Sequence, residues 1–159
     1  MTALLFPVNE DEPRLVQVNY TVDWDEDNEV DRHNLDLSAW LVRQSLGVKE
    51  ITSHGIAGRG QALGRSLHMF FNDNYMSDGS PVNRCVQKST DGKAGKWGAN
   101  ILVFRARVPT WKYTQYYGAT MDDVAPVVAF LKDYAKLYGC VPRGIPLFEQ
   151  LLNFSCRRS

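Results

Sequence analysis

The sequence predicts an α+β domain: a mainly antiparallel sheet with one long helix in its C-terminal half and shorter helices packed on it. Three observations carry this. Leu15 to Trp24 and Asn100 to Val108 alternate side chains with the period of two that a half-buried strand requires. MDDVAPVVAFLKDYAKLYG instead sets Val124, Val127, Val128, Leu131, Ala135 and Tyr138 on one helical stripe. Strand-like and helix-like stretches alternate without a strict βαβ rhythm, which argues against a parallel sheet.

The elements follow in chain order. In the first strand Val16, Val18, Tyr20, Val22 and Trp24 share one face, and Gln17, Asn19, Thr21 and Asp23 the other. DWDEDNEVD, from Asp23 to Asp31, is nearly all acid and reads as a solvated loop. DLSAWLVRQSLG reads as a short helix with Leu37, Trp40, Leu41 and Gln44 inward and Gly47 as its stop. His54 to Ser66 is glycine-rich loop, and SLHMFFND is a strand with Leu67, Met69 and Phe71 on one side. Ser80 before Pro81 reads as a capped helix start, with Val82, Cys85 and Val86 on one face and Gly92 as the end. In NILVFRARV, Leu102, Phe104, Ala106 and Val108 face inward. Ile101 and Val103 make its first half apolar on both sides, as in a central strand, while Arg105 and Arg107 leave one face wet. Asp122 or Asp123 caps the long helix, and Pro126 is tolerable only in its first turn. A short amphipathic piece, Leu147 to Phe154, closes the chain.

At 159 residues, the chain is read as one domain over 1–159, with 44% apolar and 23% charged side chains. Eighteen basic residues balance eighteen acidic ones, so no basic excess points to nucleic acid. Zero net charge removes the colloidal repulsion that keeps copies apart, which favours a homo-oligomer. Three widely spaced cysteines do not form a secreted disulfide framework. No apolar run approaches a membrane span, and MTALLFPVNEDEP lacks the basic start of a signal peptide. The expectation is a soluble cytoplasmic protein without membrane partner or cofactor.

Candidate chemistry is spread over several motifs. Asp23, Asp25, Asp27 and Asp31 occupy odd positions of a calcium-loop pattern, but Asn28 stands where glycine belongs and Asn34 where a bidentate glutamate belongs. GRGQALGRS fits neither a P-loop nor a dinucleotide fingerprint, yet Arg59 and Arg65 are candidates to hold an anion. The run RARVPTWKYTQYY interleaves cations with aromatics, a composition suited to stacking or to a contact surface. Cys85 near a helix start, with His68, Asp73 and Arg84 close in sequence and His54 upstream, is the set a thiol mechanism would draw on. Tyr75, Trp97 and Tyr113 would line its pocket. The bland alternative for Cys85 is a buried, inert thiol beside Val82 and Val86. FFNDNYMSDGSPVNRC concentrates polar groups, and its Asn72, Asp73, Asn74 and Asp78 suit a turn tied down by side chains.

LGRSLHMFFNDNYMSDGSPVNRCV, then GKWGANILVF, then the MDDVAPVVAFLKDY helix start together resemble a domain of mushroom-forming basidiomycete fungi that often lies beside a MYND zinc finger. The resemblance covers residues 60–138. It implies a fungal origin and the companion domain alone, since three cysteines are too few for the finger. It carries over no catalytic residue. The leading expectation is an interaction domain that binds a protein partner or itself, with a small-molecule ligand also open. The alternative is a small cofactor-independent enzyme of fungal secondary metabolism.

Overall fold

The computed structural model describes residues 1–27, 29–41, 45–53, 62–110 and 113–138, with side chains undescribed at 108–110, 113, 137 and 138. The α+β expectation is overturned. Among the described residues, eight strands hold 45%, whereas helix holds 19%. The helices are α1 (Arg84–Ser89, 6 residues) and α2 (Val124–Tyr138, 15 residues), the latter entered through a 3₁₀ turn at Met121–Asp123. The fold is an antiparallel β-sheet structure on which one modest helix packs.

The strands are β1 (Thr2–Phe6), β2 (Arg14–Gln17), β3 (Tyr20–Asp25), β4 (Val30–Leu35), β5 (Leu46–Ser53), β6 (Ala62–Asn72), β7 (Ile101–Thr110) and β8 (Tyr113–Tyr117). The main sheet runs β2-β1-β7-β6-β5, with β8 also on β7, and every pairing is antiparallel. β3 and β4 form a separate hairpin.

Each face of the main sheet is covered, so its central strands are apolar on both sides. One face carries Leu4, Phe6, Leu67, Met69, Phe71, Ile101 and Val103 against Val127, Phe130 and Leu131 of α2 and against Cys85 and Val86 of α1. The other carries Ala3, Leu5, Val16, Phe70, Leu102 and Phe104 under Val18, Leu37 and Leu41. Burying these rows stabilises the fold by about 25 cal/mol for each Å² of apolar surface removed from water.

Three local expectations are corrected. The alternating run Leu15 to Trp24 is not one strand. It breaks between β2 and β3, because Val18 turns in to bond the chain start: Met1 N donates to Val18 O at 2.7 Å, and Val18 N–H donates to Met1 O at 2.8 Å. Residues 36–41 form a tight turn, with Leu41 N–H donating to Leu37 O at 2.9 Å, and Leu46 and Gly47, expected at the helix end, belong to strand β5. Gly47 lies inside β5, not at a helix stop: a Cβ there would stand 2.7 Å from the Phe71 ring, its cross-strand partner. The glycine is there for room.

Gln44, Gly139, the Leu147 to Phe154 piece, Cys140 and Cys156 lie outside the described residues. No helix of the described residues is long and apolar enough to cross a membrane.

Candidate functional site

The stretch from Phe70 to Cys85 is a turn held by its own side chains. Asn72, at the end of β6, donates from Nδ2 to Asp78 Oδ2 at 2.5 Å and to Ser80 Oγ at 3.0 Å. Its Oδ1 accepts the Asn74 N–H, and Asp78 Oδ1 accepts the Ser80 N–H. The hydrogen bonds from Ser80 and Asn72 hold the Asp78 carboxyl below its ordinary pKa. Helix α1 starts later than the Ser80–Pro81 signal. Its cap is Asn83, whose Oδ1 accepts the Val86 N–H at 2.8 Å. Val82 is therefore outside the helix and exposed. Asn83 is fully buried, and its Nδ2 donates to Phe6 O and Ala99 O, tying α1 to β1 and to the approach to β7.

The residues proposed for thiol chemistry do not converge. Cys85 has no exposed surface and belongs to the core on the α2 side. Burial pushes its thiol up to about 11. His68 projects to the other side of the sheet, where it packs edge-on against Tyr116 with Nδ1 3.4 Å from Tyr116 Oη. Burial lowers the pKa of this imidazole, against a smaller opposing pull from Glu50. A β-sheet thus separates thiol from imidazole. Arg84 reaches outward to Asp11 at 2.7 Å, and Asp73 is exposed. His54 lies outside the described residues, as does the side chain of Tyr113. Trp97 and Tyr75 stack at 5.5 Å and 15°, with Phe71 and Tyr134 also against the indole. They form a wall of the core.

The acidic segment is a hairpin, not a calcium loop. Asp31 is the cross-strand partner of Trp24, so it lies on the opposite face from Asp23 and Asp25. Asp23 instead accepts from Asn34 Nδ2 at 2.7 Å. Among the described residues, no three acidic, His or Cys side chains are grouped to hold a metal.

Two other motifs do meet. β6 brings in Arg65 from GRGQALGRS, and β7 and β8 bring in Arg105, Arg107 and Tyr117 from the cation–aromatic run. Gly64, Arg65, Ser66, Arg105, Ala106, Arg107 and Tyr117 line an open cleft of about 540 Å³. Two of its arginines are anchored on Asp123, which is fully buried. Arg65 Nε and Nη2 donate to Asp123 Oδ1, Arg105 Nε donates to Oδ2 at 2.9 Å, and the Thr120 N–H donates to Oδ2 at 2.9 Å. Burial alone would raise the Asp123 pKa, but the Thr120 N–H and the two guanidiniums outweigh it and hold the carboxyl below its usual range. Arg105 is thus no wet-face residue. Arg59 lies outside the described residues.

No family model, curated protein or solved structure matches the chain. The site is therefore read from its own geometry.

Beside the cleft stands the β3–β4 hairpin. His33 of β4 accepts the Tyr116 N–H at Nδ1 and sets its ring 6.4 Å from that of Tyr117. Tyr20, its diagonal neighbour across the hairpin, also packs on His33, with ring centroids 6.1 Å apart. Beyond it Tyr20, Val22 and Trp24 are 45%, 48% and 59% exposed. Their alternation was legible in the sequence, but the side they face was not. The expectation buried them; the structure turns them to solvent.

Proposed function

We propose that this protein acts by binding, and that the face of the β3–β4 hairpin is where it binds a second copy of itself. The observation that carries the reading is the row Tyr20, Val22 and Trp24, exposed together on a strand whose outer edge pairs with no other strand among the described residues. A contiguous exposed apolar row beside an open strand edge is the pattern of an association surface. The zero net charge of the chain lets like copies approach. Antiparallel pairing of β3 with β3 of the second copy, centred on Val22, sets Trp24 of one beside Tyr20 of the other, so the two apolar rows share one face and the two acidic hairpin tips lie at opposite ends and do not repel. The dispersal of Cys85, His68, Asp73 and Arg84 supports binding over the enzyme alternative. The free, buried Cys85 thiol is compatible with the reducing compartment that a cytoplasmic protein would meet, and supports that part of the reading.

The test is the mass in solution of the native chain and of Trp24→Glu. The reading expects a dimer that the variant converts to a folded monomer. A native chain that stays monomeric at every concentration, or a variant that dimerises as well as the native chain, refutes it.

A further inference from the structure

We infer that the arginine cleft at the junction of β6, β7 and β8 binds the phosphate group of a small-molecule phosphate monoester. Three guanidiniums surround the cleft and one carboxylate answers them. Asp123 spends both oxygens on Arg65 and Arg105, and Arg105 Nη2 also donates to Thr120 Oγ1. The Nη1 groups of Arg65 and Arg105 have no partner among the described residues. Arg107 is exposed and has none at all there. Two positive charges are thus left over, and the buried carboxylate fixes the orientation of the Arg65 and Arg105 forks.

That excess matches a phosphate monoester, which carries between about 1.5 and 2 negative charges at neutral pH, better than a single carboxylate. Guanidinium donors in a fixed plane suit bidentate contact with its oxygens. Anchoring to Asp123 means that Arg65 and Arg105 lose little side-chain freedom when a ligand arrives. Tyr117 is the cross-strand partner of Arg105, so its ring shares the face of the cleft and offers a surface for a flat group attached to the phosphate. A cleft of about 540 Å³ lies in the size range of small-molecule sites. Gly64 leaves its rim open, with nothing within 4 Å of where a Cβ would stand.

The reading does not depend on self-association, and its test separates the two. Titrate phenyl phosphate, inorganic phosphate and benzoate into the native chain at constant ionic strength, and follow heat and thermal shift. The expected order is phenyl phosphate tightest, inorganic phosphate next and benzoate weakest. Arg107→Gln, an exposed change that leaves the Asp123 contacts intact, is expected to weaken phenyl phosphate about tenfold, the scale of one lost charge-assisted contact. Tyr117→Ser is expected to remove the advantage of phenyl phosphate over inorganic phosphate while both still bind. Binding that Arg107→Gln leaves unchanged, or that benzoate and sodium chloride reproduce, overturns the site. A phosphotyrosine peptide that binds tenfold tighter than phenyl phosphate overturns the small-molecule assignment.

Discussion

Arg105 Nε donates to Asp123 Oδ2 across 2.9 Å, and the carboxylate it meets is fully buried while the guanidinium keeps part of its surface in water. The contact joins the middle of the main sheet to the entry of α2. Arg65 completes it from the neighbouring strand. Removing one member of such a pair costs more than the pair is worth, because the partners lose their compensation.

Asp123→Asn is therefore expected to destabilise the fold by about 2–4 kcal/mol, toward the lower figure because water can reach Arg65. Urea denaturation with an unchanged m-value checks this. The pH dependence has a defined sign. The folded carboxyl titrates below its unfolded value of about 3.9, so its contribution is complete above that value and is lost as pH falls through the folded one. The variant should show a flatter stability profile below pH ~4 than the native chain.

Asn83→Ala removes the cap of α1 and leaves the carbonyls of Phe6 and Ala99 without a donor in a buried place. The expected loss is about 3 kcal/mol. Asn83→Asp keeps the oxygen that accepts from Val86 but not the two donors. It should be at least as destabilised as the alanine variant. Thermal unfolding of the pair decides this: a stable aspartate variant would mean that the cap alone matters.

Cys85 is expected to resist iodoacetamide at neutral pH in the native chain and to label on unfolding, as read by mass spectrometry of its own peptide. Its thiol is raised from an ordinary value of about 8.5 to about 11. The stability tied to keeping it neutral is full below the ordinary value and is lost as pH rises through the folded one. Labelling of the native chain at the rate of the unfolded one would show that the core on the α2 side opens.

What the sequence shows depends on whether a signal is local. The central position of β7 was legible because Ile101 and Val103 break its alternation, and only a strand covered on both faces tolerates that. The α2 stripe was legible in part: Val127 and Leu131 are buried, but Phe130, buried beside them, does not lie on it, and Pro126 does fall in the first turn. Other signals had two meanings. The parity of Val16 through Trp24 runs unbroken across the gap between β2 and β3, so period alone hid both the break and the exposure. Ser80 and Pro81 carry cap chemistry, but Ser80 is engaged by Asn72 and Asp78, and Asn83 caps instead. Gly47 resembles a stop, yet its role is the space that a residue 24 positions later occupies. The arginine cleft was half visible. Its two motifs each stand out in the sequence, but their meeting needs the β6–β7–β8 pairing, which no spacing along the chain reports.

The most direct test of self-association through β3 is amide hydrogen exchange on the native chain, measured across a wide range of protein concentration. Pairing of β3 with its copy predicts that protection of amides in Tyr20–Asp25 rises with concentration while protection in β7 stays constant. Protection in β3 that does not change with concentration would contradict it.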